Sequence, residues 1–213
     1  MTKEVVPGHC RGVRAKRLAN WVGAWHKHGY TGFTLIELVL VVGIIIVLAG
    51  LVLSTVGYAR RKGALARAET EIAALSAAIE NYKADKGVYP YNDVTNGLDA
   101  RIRGDPTDAT DPTYSNASVY LYTQLSGDIA RNRSPTENSY MVFKSNMLLP
   151  AGGIGTVTAI ADPFGYSYGY STAANAQANP TPSGTPGYNP TFDVWSTTGG
   201  RTIGDAPKWV KNW

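Results

Sequence analysis

HGYTGFTLIELVLVVGIIIVLAGLVLST, residues 28–55, decides how this chain is organised. From Leu38 to Leu53 every residue is aliphatic or Gly. Extension through Val56 gives an uncharged run close to the roughly 20 residues that cross a bilayer as a helix. One acid, Glu37, stands at its start, although a charge in hydrocarbon costs a few kcal/mol or more. Arg60, Arg61 and Lys62 end the run, and a basic segment ending at Gly32 precedes it.

Charge is unevenly placed. Residues 1–32 hold six basic residues and one acid, whereas the remainder holds 14 basic and 15 acidic residues. The basic pI therefore belongs to the first 32 residues, and no nucleic-acid partner is expected of the rest. The six leader cations outnumber the Arg60–Lys62 cluster. This places the N-terminus in the cytoplasm and exports the C-terminal part. Cys10 and His9, His26 and His28 are the only residues of their types. A chain lacking residues 1–32 has no disulfide framework, no Cys or His nucleophile–base pair and no zinc site of the usual ligands.

The helix extends past the apolar run. No Pro occurs between Pro7 and Pro90, and GALARAETEIAALSAAIENYKADKG, residues 63–87, is rich in strong helix formers. Leu65, Ala68, Ile72, Leu75, Ile79 and Tyr82 fall at alternating spacings of three and four and make one apolar stripe. A helix is predicted from about Thr34 to Lys86. Its first half is apolar all round and its second half carries a stripe for a globular head. Gly87 and Pro90 end it. Asp-Pro turns mark residues 104–118 as a polar loop, with a short helix or extended turn in 119–132 burying Tyr120, Leu121, Leu125 and Ile129. Alternating Tyr166, Tyr168 and Tyr170 read as a strand, residues 171–191 as a loop inserted in a hairpin, and FDVWSTTGG as the last strand.

GFTLIELVLVVGIIIVLAG closely resembles the type IV prepilin signal: Gly32, Phe33, a Thr-Leu-Ile run and Glu37 at the fifth place after Gly32. NYKADKGVYP and DPFGYSYGY resemble stretches of the major pseudopilin of type II secretion, with Phe164 in place of a Trp. The resemblance implies an α+β, type IV pilin-like fold: one long N-terminal helix packed by its second half on a small antiparallel β-sheet head. It implies three regions, a cleaved leader (1–32), a membrane-spanning and fibre-core helix (33–58) and a periplasmic head (59–213). Prepilin peptidase would cut between Gly32 and Phe33 and N-methylate Phe33. Glu37 would then meet the Phe33 amine of a neighbouring copy. The implied partners are further copies of the chain, the peptidase, an inner-membrane assembly platform and minor pseudopilins.

By the same resemblance, the C-terminal segment is a calcium site. Asp205 with Asp193, Val194 and Ser196 would supply its oxygens, but Thr197, Thr198, Gly199 and Gly200 stand where the family has a loop Asp. Asp193 and Asp205 capping surface turns is the other reading of these residues. Three roles are open: a subunit of a type II secretion pseudopilus; a type IV pilin for adhesion, motility or DNA uptake; and a signal-anchored periplasmic enzyme. The absence of His and Cys beyond residue 32 and of any catalytic carboxylate pair weighs against the third.

Overall fold

The structure, a computed structural model, describes residues 32–102, 105–107, 112–176 and 186–213. The leader up to residue 31, and residues 177–185 of the inserted loop, lie outside the described residues. The chain divides into two compact units, residues 1–48 and 49–213. Helix α1, Leu35–Lys86, supplies the described helix of the first and opens the second.

In the first unit the α1 side chains from Leu35 to Leu48 are all exposed, as an apolar surface meant for lipid or for other helices would be. α1 is the one helix among the described residues long and apolar enough to cross a membrane.

In the second unit the apolar stripe is buried as its spacing requires. Ala68, Ile72, Leu75, Ala78 and Ile79 are core residues, and Leu65 and Tyr82 are half-buried at the ends. Each fully buried Leu or Ile contributes on the order of 1.5–3 kcal/mol. Polar residues off the stripe are used as anchors. Buried Glu71 accepts a hydrogen bond from the Tyr168 hydroxyl at 2.9 Å and pairs with Arg67 at 2.6 Å. Tyr89 donates to Glu80, and the Tyr140 hydroxyl donates to Asp85. Gly87 ends α1 at φ +81, a left-handed value that suits Gly, and its N–H reaches Lys83 O at 2.8 Å.

Beyond Pro90, α2 (Asp93–Gly97) starts on a capping box in which Asn92 and Thr95 each bond the other's backbone N–H. α3 is Thr113–Ser126 and ends on left-handed Gly127. Helix therefore begins inside the segment expected to be loop, because Pro112 stands just before the first turn, where its missing N–H costs nothing. Leu121 and Leu125 are buried as predicted, whereas Ile129, beyond the Gly127 stop, is exposed.

Strands β1 (Leu148–Leu149) and β2 (Ala159–Ile160) form one antiparallel pair. Strands β3 (Gly169–Ser171), β4 (Asp193–Ser196) and β5 (Val210–Lys211) form a second antiparallel sheet with β4 central. α4 is the short turn Ala173–Ala176. β3 and β4 of the second sheet are buried on both faces, and the period of two sorts their side chains. Tyr168, Tyr170 and Val194 join Ile72, Leu75 and Ile79 in one core. Trp195 joins Leu98, Tyr114, Ala117 and Trp209 in another. The turn Asp162–Gly165 forms as expected. Asp162 Oδ1 accepts from the N–H of Phe164 and of Tyr166, and Gly165 has φ +89.

Candidate processing and assembly site

Gly32, Phe33 and Thr34 precede α1 in irregular, exposed backbone, and the Phe33 side chain is 88% exposed. Thr34 is the residue before the first helical position. Its N–H and its hydroxyl both donate to Glu37 Oε2, each at 2.8 Å, and the Glu37 N–H donates back to Thr34 Oγ1 at 3.3 Å. Thr34-Leu-Ile-Glu37 is thus a capping box: it satisfies two amide donors that the first helical turn would otherwise leave bare. Sequence reasoning gave Glu37 an intermolecular role and passed over Thr34. The T-x-x-E spacing ahead of an apolar run was the available signal. Among the described residues Glu37 Oε1 has no hydrogen-bond partner. One carboxylate oxygen serves the chain's own helix start, and the other is available to a donor from outside.

The C-terminal residues are committed elsewhere. Asp193 is buried, and its two oxygens accept the N–H of Tyr188 and of Asn189, each at 2.8 Å. Burial pushes its carboxyl above the usual range in spite of those two bonds. Val194 exchanges N–H and C=O bonds with Asn212. Ser196 donates to Asp162 at 2.5 Å, and burial likewise pushes Asp162 up. Asp205 accepts from Lys208 Nζ at 3.1 Å and from the Thr202 hydroxyl at 2.9 Å, and these hold it below the ordinary carboxylate range.

Calcium takes six to eight oxygens. Of the four residues, only Asp205 offers it a carboxylate that is not filled by backbone amides, and Lys208 already neutralises that one. No three Asp, Glu, His or Cys residues gather as a metal site among the described residues. The donor set does not fit the ion. The C-terminal segment is held instead by aromatic packing: Trp195 and Trp209 stack at 6.2 Å, Tyr188 and Trp213 at 4.5 Å, and Trp195 Nε1 donates to the Tyr114 hydroxyl at 2.9 Å.

An exposed N-terminal segment, a capped apolar helix and a small β head are what a pilin-like fold combines, and comparison with known proteins agrees. The chain is 40% identical over 72 residues to type II secretion system core protein G of Vibrio cholerae serotype O1, a match covering 34% of this chain and 48% of that protein. It is 36% identical over 95 residues to type II secretion system core protein G of Aeromonas hydrophila, covering 45% of this chain and 64% of that protein. The chain is a pilin-like relative of these secretion proteins. It spans about half to just under two thirds of their length. Both names describe a component of a secretion system, and neither names an enzyme. No family model and no solved structure matches the chain.

Proposed function

We propose that the chain is a structural subunit of a type II secretion pseudopilus. A prepilin peptidase cuts it between Gly32 and Phe33 on the cytoplasmic face and methylates the new Phe33 amine. Copies anchored in the inner membrane then leave the bilayer for a periplasmic fibre that drives protein export, with the assembly platform and minor pseudopilins as partners. The observation that carries this reading is the unshared oxygen of Glu37 beside the cut site. A charge in hydrocarbon is tolerated when an opposite charge meets it. The amine of a neighbouring Phe33 is such a charge, and it exists only after cleavage. Pairing of this kind fixes the axial register of one copy against the next.

Two variants test it. Glu37→Ala removes both cap and charge. Glu37→Gln keeps a side chain that completes a capping box, because Gln serves there as Glu does, but removes the charge. Expected for Glu37→Gln are processing after Gly32, shown by the intact mass of the chain, and no fibre. Normal fibres from Glu37→Gln, or a native chain that retains residues 1–32, would refute the proposal.

A further inference from the structure

The orientation just proposed puts Arg60, Arg61 and Lys62 on the exported side of the membrane, where flanking cations are usually avoided. All three are exposed, and among the described residues none has an ion pair. No acid lies between Glu37 and Glu69. The next cation along α1 behaves differently: Arg67 holds Glu71 at 2.6 Å.

Consecutive helical positions turn by about 100°, so the three cations spread over more than half of the helix circumference at one level. Tyr58 stands just below them. It is 68% exposed, at the height where Tyr marks a membrane–water interface. Lys62 Nζ lies 5.7 Å from the centre of its ring. An aromatic residue at the interface under a girdle of unpaired cations complements an anionic lipid surface: ring among the headgroups, ammonium and guanidinium groups on the phosphates.

We propose that Tyr58, Arg60, Arg61 and Lys62 form a collar that binds anionic phospholipid headgroups on the exported leaflet. The inference rests on the membrane orientation given under the proposed function. The collar fixes the depth of α1 in the bilayer and holds each copy there until fibre contacts replace the lipid.

The test uses the full chain carrying Cys10→Ser and a bimane fluorophore on the thiol of Ala59→Cys, reconstituted in phosphatidylcholine bilayers. Trace phosphatidylglycerol or phosphatidylcholine spin-labelled at the headgroup is the quencher. Phosphatidylglycerol is expected to quench at least about fivefold more effectively at low salt, the preference one surface cation gives an acidic lipid. The excess should fall steeply by about 0.5 M salt and disappear in Arg60→Gln/Arg61→Gln/Lys62→Gln. Equal quenching by the two lipids at low salt would overturn the proposal. So would a triple variant that changes only cross-linking between copies, because the cations would then serve acidic residues of a second chain. A membrane-impermeant thiol reagent that fails to reach the unlabelled Ala59→Cys variant from outside intact cells would overturn the leaflet assignment, and with it the orientation, while leaving the lipid preference to be read separately.

Discussion

Replacing Gly169 by Ala should damage the head severely, and the reason is a single contact. Gly169 lies opposite Trp195 in the β3–β4 register. A Cβ there would stand 2.2, 2.4 and 2.6 Å from three atoms of the indole ring, where carbon atoms normally sit about 3.5–4.0 Å apart. The ring must retreat by more than about 1 Å, and it is boxed in. Trp195 is fully buried, tied to the Tyr114 hydroxyl at 2.9 Å, edge-on to Tyr114 and Trp213 and stacked on Trp209. Overpacking costs about 1–3 kcal/mol where a core can adjust. Displacement adds about 1 kcal/mol for the hydrogen bond and a similar amount for disturbed ring pairs. We expect about 3–5 kcal/mol in all, which for a unit of this size lowers Tm by about 6–20 °C. Urea unfolding of the detergent-solubilised chain, followed by tryptophan fluorescence, reads the first figure, and near-UV dichroism reads the ring displacement. Trp195→Leu removes the obstacle, so Gly169→Ala/Trp195→Leu should cost about 2 kcal/mol less than the sum of the single variants. A Gly169→Ala variant within about 0.5 kcal/mol of the parent and with an unaltered near-UV spectrum would show that the approach of Gly169 to Trp195 is not as described.

Tyr168→Phe deletes only the hydroxyl that reaches Glu71 and should lower unfolding free energy by about 2 kcal/mol, the scale of a buried hydrogen bond to a charged group; a loss under about 0.5 kcal/mol would mean that the tyrosine does not clip α1 to the sheet. The Tyr122 hydroxyl is pushed up to about 12 by burial and by its hydrogen bond to Asp128. Its folded value lies above the unfolded one near 10, so its contribution is complete below pH 10 and is lost as pH rises toward 12. Tyr122→Phe should be less stable at pH 8 and decline less steeply above pH 10, and parallel pH profiles would contradict this. Calcium and EDTA should each leave Tm within about 1 °C of its starting value, because a site at a hundred times its Kd would add about 2.7 kcal/mol; a calcium-dependent rise of several degrees would restore the metal reading of Asp205.

The long helix was legible because one physical signal is repeated along it. Stripe positions from Leu65 to Tyr82 keep the helical period, Gly87 supplies the stop, and no Pro intervenes. β4 forms in the segment read as the last strand, but β5 follows it, and its adjacent apolar residues Val194 and Trp195 point to opposite cores. What escaped is what depends on distant partners. Glu71 lies beside the stripe and reads as solvent-facing, yet it is buried because Tyr168, 97 residues away, donates to it. The start of α3 was hidden in a polar segment, where Tyr114 is buried by its contact with Trp195 rather than by any local period. At the C-terminus, Asp193, Val194, Ser196 and Asp205 carry the residue types a calcium site uses. Composition could not reveal that Asn212, Asp162, Lys208 and two loop amides already hold them.

The proposed cut and the helix start share one motif. A cut after Gly32 makes Phe33 the terminus and leaves the amide N–H of Thr34 in place, and that N–H is the donor Glu37 receives at 2.8 Å. A cut one residue later would turn this amide into an ammonium and put a positive charge at the N-terminus of α1, against the helix dipole. A cut after Gly32 keeps that donor a neutral amide and puts the new charge one residue outside the capping box. A neighbouring chain's amine can approach Glu37 Oε1 while Oε2 stays with Thr34. Gln at 37 would meet the first requirement but not the second, and Asp, one methylene shorter, is not the residue that closes a capping box. Under the proposed function, glutamate at this spacing satisfies both requirements, closing the helix start and leaving a charged oxygen for a neighbouring amine.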